Sequence, residues 1–251
     1  LTEDQMAAFA RWTNLSETTF LLPPTDPAAD YRLRIWTPGG ELPFAGHPTL
    51  GSAHAWLEAG GLPSDPDEIV QECGAGLVKV RRGQRLSFRA PPLTRTGPVD
   101  PVDLAAARRA LRIAEDDVVA SQWIDNGPGW MGVLLADAAA VLAIDPDWAA
   151  FGDLKIGVVG PYAEGPWAVE LRAFCPGFGM PEDPVTGSLN AGVGQWLAGD
   201  RLPTSYVASQ GTVLGRAGRA HVETSTSPST GDREIWVGGD TATTIVGTVS
   251  I

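Results

Sequence analysis

The 251-residue chain is poor in cysteine, in histidine and in positive charge. Its two cysteines, Cys73 and Cys175, are too few for a disulfide framework and lack the spacing of a metal site, so no metal is expected. Eighteen basic residues stand against 30 acidic ones, a formal net charge of -12 that disfavours a nucleic-acid partner. Long apolar runs are lacking too. Met131-Gly132-Val133-Leu134-Leu135-Ala136 is among the longest and is far too short to span a bilayer, so a membrane partner is not expected and a cytoplasmic protein is the default. The length allows one large domain or two of middling size. Tryptophan is abundant, at nine residues, but large aromatics more often fill cores than bind ligands.

What is present is a turn rich in glycine and proline that occurs twice. The first copy is Glu41-Leu42-Pro43-Phe44-Ala45-Gly46-His47-Pro48-Thr49-Leu50-Gly51-Ser52, and the second is Gly179-Met180-Pro181-Glu182-Asp183-Pro184-Val185-Thr186-Gly187-Ser188. The lead-ins are Arg34 to Pro38 and Arg172 to Pro176, with the next prolines at Pro43 and Pro181, and Trp56-Leu57 and Trp196-Leu197 follow. Counting prolines pairs Pro43 with Pro181. Each copy reads as strand, tight turn and helix, because Arg32-Leu33-Arg34-Ile35-Trp36 alternates as a strand does before Gly and Pro break it. Ser52 and Ser188 are the expected N-caps, with Gly60 closing the first helix. A helix start attracts anions, and glycine lets backbone N–H groups approach a ligand. Two such starts would hold a small acid between them, with His47 and Asp183 as proton carriers. A Gly-Ser before a helix is usually only a cap. Recurrence of the whole turn, with a titratable residue in each copy, favours the functional reading.

Residues 1–13 read as a helix capped by Thr2 with Gln5 three later, with Met6, Phe9 and Ala10 or Trp12 on one face. Asn14–Leu22 becomes a strand stopped by Pro23-Pro24. Glu17 is the odd residue there. It is either an edge charge facing water or a buried general acid/base whose pKa rises through desolvation. Cys73-Gly74 falls between strands with no His nearby in sequence and reads as structural. Residues 65–90 are rich in hairpin signals, Pro91 to Pro101 is the best linker, and 103–113 form a helix. From residue 118 the first half replays: Asp147–Phe151 echoes Asp4–Phe9, and Ile156–Val159 echoes Thr19–Leu22. Residues 120–144 have no counterpart in the first half, which leads us to expect a further strand pair ahead of Leu1. Near the end, strands are expected at Glu234–Val237 and Thr243–Val249, and a loop over 224–230.

Three stretches, Asn14-Leu15-Ser16-Glu17-Thr18, Glu41 through Thr49, and Glu182 through Ser188, resemble the signature motifs of the PhzF (phenazine biosynthesis-like) family. Gln210-Gly211 with Gly215-Arg216, and Val237-Gly238-Gly239, are similar to it as well. The resemblance covers essentially the whole chain apart from the family's first strands. It implies an α+β, diaminopimelate-epimerase-like fold with two pseudo-symmetric domains, each a mixed sheet or barrel wrapped round a central helix, and the site in the cleft between them. The expected domains are 1–94, completed by 244–251, and 95–243. The family's best-known enzyme is a cofactor-free isomerase of trans-2,3-dihydro-3-hydroxyanthranilate whose motif glutamate moves a proton between substrate carbons.

Carried over motif by motif, the resemblance implies Glu17 as the shuttle, His47, Asp183 and Ser188 as the family's His, Asp and Ser, and Gly46 and Gly187 as the glycines that bind the substrate carboxylate. It also implies a homodimer and no cofactor. Related epimerases place two cysteines at these turns. Gly46-His47-Pro48 and Asp183-Pro184-Val185 carry none, which excludes a two-thiol mechanism. The expected function is a cofactor-independent isomerase of a small carboxylic acid. The alternatives are a two-base epimerase or racemase of a small amino or hydroxy acid, and a non-catalytic partner-binding protein on the same fold.

Overall fold

A computed structural model of the chain describes every residue except Gly179, Ser229 and Ile251. The first glycine of the second turn and one residue of the expected 224–230 loop therefore lie outside the described residues. The chain divides into one unit of Leu1–Arg89 with Gly238–Ile251, and another of Ala90–Val237.

The first unit contains α1 (Glu3–Thr13), β1 (Thr18–Leu22), β2 (Tyr31–Thr37), β3 (Gly40–Leu42), α2 (Gly46–Glu58), β4 (Glu68–Cys73), β5 (Gly76–Arg81) and β6 (Leu86–Arg89). Thr2 and Gln5 form a reciprocal capping box at the start of α1. Met6 and Ala10 are buried with Trp36, Phe20 and Leu22, whereas Trp12 faces water. β2 pairs antiparallel with β1 and β3 and parallel with β4, and β4–β5–β6 continue as antiparallel neighbours. Helix α2 packs against β1, β2, β4 and β6.

The second unit contains β7 (Arg95–Gly97), α3 (Pro101–Leu111), β8 (Val118–Asp125), β9 (Trp130–Leu135), α4 (Ala138–Leu142), β10 (Lys155–Pro161), β11 (Val169–Phe174), β12 (Glu182–Asp183), α5 (Gly187–Leu197), β13 (Ser205–Gln210), β14 (Gly218–Thr226) and β15 (Arg233–Gly239) as far as Val237. β11 pairs antiparallel with β10 and β12 and parallel with β13, which pairs antiparallel with β14. The repeat read from the sequence is thus a repeat of strand order: β1, β2, β3, α2, β4 and β5 match β10, β11, β12, α5, β13 and β14. β10 also carries β9 in parallel on its other edge, whereas β1 ends the strand order.

Strand register corrects how the two turns align. Trp36 lies opposite Glu41, and Phe174 opposite Glu182. Glu41 therefore matches Glu182, and Leu42 through His47 match Asp183 through Ser188 without a gap. Pro43 corresponds to Pro184, not to Pro181; three extra residues lengthen the second loop and mislead a proline count. The glycines confirm the match. A Cβ on Gly74 would lie 2.8 Å from Pro43 Cα, and one on Gly211 would lie 2.7 Å from the Pro184 carbonyl.

An arginine–glutamate fork fixes each turn. Arg34 donates to Glu41 through Nε and Nη2 at 2.7 and 2.6 Å, and Arg172 donates to Glu182 at 2.9 and 2.8 Å. The second pair is almost wholly buried, with side chains 3% and 4% exposed. Arg172 also donates to the Ile144 carbonyl at 2.7 Å and lies over the Phe174 ring.

Other expectations also change. Both helices begin earlier than the serine caps suggested. α2 starts at Gly46 behind Ala45, and neither Ala45 nor Thr186 caps its helix with a side chain. Ser52 lies inside α2 and donates to Thr19 Oγ1 at 2.9 Å. The linker expected at 91–101 contains β7, and β14 runs into the expected loop as far as Thr226. Thr243–Val249 forms no strand. Thr241 and Thr243 bond instead to His54 of α2, and Ile245 and Val246 are 88% exposed, with no neighbouring strand to reward their β propensity.

Helix α5 is buried nearly all round because the strands about it are cut flat. Trp196 packs over Gly132, Leu189 over Gly157, and Gly194 lies against Val222 and Ile235. Gly192 and Gly51 hold the same place in the two helices, five residues after the first glycine. A Cβ on Gly192 would lie 2.6 Å from the Ile124 carbonyl, while one on Gly51 would meet nothing within 4 Å. We expect Gly192→Ala to destabilise the protein by at least about 1 kcal/mol. Gly51→Ala should stabilise it by up to about 1 kcal/mol through helix propensity alone. Urea unfolding of the two variants checks the opposite signs.

Candidate active site

In the first unit the chain leaves α1 through Asn14, whose left-handed backbone (φ 52°) lets it turn at once toward β1. Glu17 is the residue before β1, and its side chain is only 12% exposed. It is therefore not an edge charge facing water. Its Oε2 lies 3.1 Å from Nε2 of His47, the second residue of α2, whose side chain is 47% exposed. That oxygen is buried but has no well-directed hydrogen bond, so the two groups are in close approach rather than locked together. Pro48 follows without an N–H, and the first amide to bond back into the helix is Thr49, to the Ala45 carbonyl at 3.2 Å. Glu17 and His47, read from separate motifs, thus stand together at a helix start that no side chain caps.

In the second unit Asp183 ends β12 and is buried. Thr186 Oγ1 donates to Asp183 Oδ2 at 2.6 Å and accepts from Gln210 Nε2 at 2.9 Å. Gln210 is fully buried and saturated. It donates also to the Asp183 carbonyl, and its Oε1 accepts from the Thr186 amide and from Asn190 Nδ2, both at 3.0 Å. Because the carboxamide spends both its protons on Thr186 and Asp183, the threonine hydroxyl must point its own proton at the carboxylate. Ser188, second residue of α5, is buried. Its Oγ accepts from Trp130 Nε1 at 2.9 Å, and its carbonyl accepts from Asn126 Nδ2 at 2.9 Å. Gly187 opens α5 as Gly46 opens α2.

The matched register shows that the two titratable turn residues are not equivalent. His47 holds the place of Ser188, and Asp183 holds the place of Leu42. Sequence reading missed the supporting roles of Thr186 and Gln210, which it met only as motif letters, and missed Trp130 and Asn126 altogether. The one available signal was the turn Asn126-Gly127-Pro128-Gly129, whose glycines take φ of 135° and 95°.

Cys73 ends β4, and burial pushes its thiol above the usual range. Such a thiol is a poor nucleophile at neutral pH, in keeping with the structural role read for it. Among the described residues no three His, Cys, Asp or Glu side chains gather as a metal site requires, and no helix is long and apolar enough to cross a membrane.

Two outcomes follow. Gln210→Leu strands the buried Thr186 amide and takes a donor from the Asp183 carbonyl, so it should cost about 3 kcal/mol or more, read as a lowered urea midpoint. Iodoacetamide should label Cys73 in the native protein more slowly at pH 8 than in the unfolded chain, and the gap should narrow as pH rises through the elevated thiol pKa. Equal rates at pH 8 by peptide mass mapping would contradict this.

Comparison with known proteins adds three findings. The profile of the family described as "Phenazine biosynthesis-like protein" (PhzC-PhzF) matches residues 1–247. "Antisense-enhancing sequence 1" of Schizosaccharomyces pombe is 36% identical over 98% of this chain and 88% of its own length, and the trans-2,3-dihydro-3-hydroxyanthranilate isomerase of Pseudomonas aeruginosa is 33% identical over 88% and 80%. Among solved structures, a PhzF-family protein of Bacillus anthracis superposes with a TM-score of 0.77 at 21% identity, covering 95% of this chain and 86% of that one. A probable proline racemase of Agrobacterium radiobacter superposes with a TM-score of 0.54 at 14% identity, covering 94% and 79%. At those identities the structural matches speak for fold alone, and that fold is diaminopimelate-epimerase-like.

Proposed function

Because the chain belongs to the phenazine biosynthesis-like family, and relatives named as isomerases match most of its length, we propose that it is a cofactor-independent isomerase that moves a proton between carbons of a small carboxylic acid. The observation that carries this reading is Glu17: a carboxylate nearly out of water, with one oxygen 3.1 Å from His47. A base that must take a proton from carbon and return it to another carbon needs limited solvation and a free lone pair, and Glu17 Oε2 has both.

Glu17 takes the proton from one carbon, holds it as the neutral acid, and delivers it to a second carbon on the same face. One carboxylate suffices for such a 1,3-shift, whereas an epimerisation at one carbon needs groups on two faces. His47 steadies the carboxylate form before the proton is taken. The amide of Gly187 and the hydroxyl of Ser188 bind the substrate acid at the start of α5, where partial positive charge collects. Asp183, aligned by Thr186, accepts a hydrogen bond from a substrate amino or hydroxyl group.

The test is solvent exchange. A cyclic amino or hydroxy acid, with trans-2,3-dihydro-3-hydroxyanthranilate as the first choice, is incubated with the enzyme in deuterated water, and a carbon-bound proton is followed by NMR. Glu17→Gln keeps the shape and removes the base, so exchange should fall by about 10²–10⁴-fold. Asp183→Asn should weaken binding as well as turnover. If Glu17→Gln exchanges as fast as the parent while His47→Gln or Asp183→Asn abolishes exchange, Glu17 is not the shuttle.

A further inference from the structure

The start of α5 is built to give hydrogen bonds. Ser188 Oγ already accepts from Trp130 Nε1, a group that can only donate, so the serine's own proton is available to an anion. The N-cap residue, Thr186, makes no side-chain cap bond, and the partial positive charge of the first turn adds to the same preference.

One group there has the opposite character. Asn126 is 3% exposed and sits in the turn between β8 and β9. Its Nδ2 donates to the Ser188 carbonyl at 2.9 Å. A carbonyl can only accept, so this bond fixes which end of the carboxamide is nitrogen. The oxygen end, Oδ1, is held beside the same helical turn, is buried, and has no partner. A buried acceptor without a donor is costly, and native proteins rarely keep one without a use for it. Gln210 makes the contrast: it is equally buried and has all four of its bonds filled within the protein.

We propose that Asn126 is a specificity-determining residue. Its Oδ1 accepts from an N–H or O–H that the substrate carries close to its carboxylate, while Ser188 and the α5 amides hold the carboxylate itself. The substrates selected are therefore amino or hydroxy acids with the donor one or two carbons from the carboxyl group, and simple acids of the same shape are disfavoured. This rests on the reading above that the start of α5 binds the substrate acid, but not on which residue moves the proton.

Two acids of nearly identical shape separate the idea from general acid binding: anthranilate, which has an amino group beside the carboxylate, and 2-methylbenzoate, which has a methyl group in its place. Dissociation constants are measured by isothermal titration at neutral pH. The parent protein should bind anthranilate roughly tenfold more tightly, the worth of one hydrogen bond that a buried acceptor would otherwise lack. Asn126→Leu should lose most of that preference, keeping only what Asp183 contributes. A ratio of affinities within one protein does not depend on the fraction folded. If Asn126→Leu fails to fold, Asn126→Ser supplies the same comparison. Glu17→Gln should keep the tenfold preference while losing exchange, so loss of the one reading is distinguishable from loss of the other. Equal binding of both acids by the parent protein, failure to bind either, or an unchanged preference in the folded Asn126 variant overturns the proposal.

Discussion

The buried fork between Arg172 and Glu182 is the constraint on which the second unit's site depends. Glu182 immediately precedes Asp183, so the fork that pins the glutamate also sets where the next carboxylate begins. Taking two charges out of water costs more than their attraction returns unless their remaining hydrogen bonds are met. Here they largely are: beyond the two bonds to Glu182, Nη1 of Arg172 reaches the carbonyls of Ile144 and Val141 at the end of α4. The guanidinium therefore ties β11, β12 and α4 together, and the turn leading to Gly187 has little freedom left. The first unit uses the same device in a wetter setting. Arg34 forks onto Glu41 and bonds also to Glu3 of α1, and it lies over Trp36 as Arg172 lies over Phe174.

On this shared scaffold the two copies have diverged in chemistry. The first offers Leu42, Ala45 and His47 where the second offers Asp183, Thr186 and Ser188. Extending the β2–β4 register by one residue places Cys73 where Gln210 stands in the other unit. The second copy is consequently a closed polar network, Gln210 to Thr186 to Asp183, with fixed proton directions. The first brings an imidazole to within 3.1 Å of a carboxylate. A group that must take a proton needs an oxygen with a lone pair to spare, and Oε2 of Glu17 makes no directed hydrogen bond. A group that must only hold a substrate is better placed in the closed copy. The division of roles proposed for Glu17 and Asp183 follows from that difference.

How much of this could be read from the sequence depends on the range of the interaction. The capping box of Thr2 and Gln5, the alternation of β2 and the duplicated turn are local, and each was legible. The proximity of Glu17 and His47 was also foreseeable, but only because whole motifs resembled those of a family; nothing in the periodicity of Thr18–Leu22 brings a residue 30 positions later to its side. Errors came where one local signal had two explanations. A serine after glycine looks like a cap, yet Ser52 bonds across to Thr19. A proline count looks like a register, yet the forked glutamates set the true one. The β-branched run at 243–249 has the propensity of a strand, but propensity without a paired neighbour orders nothing.

Trp130 and Asn126 were invisible for a different reason. Each acts on Ser188 across about sixty residues of chain, and neither belongs to a pattern that sequence spacing can express. What distinguishes them is hydrogen-bond accounting, which exists only once the fold is known. The same accounting separates scaffold from site among the buried carboxamides. Gln71 bridges Tyr31 and Thr49, and Gln210 fills every valence, so both serve to fix strand to helix. Asn190, Asn126 and the half-buried Gln195 near the end of α5 each leave one oxygen unmet. Asn190 lies on the second turn of α5 and is fully buried among residues of its own unit. Asn126 instead meets the first turn, at the residue whose hydroxyl still has a proton to give. A saturated amide there would make the turn merely stable. An amide with one acceptor left over gives it a preference among the acids that its helix start attracts.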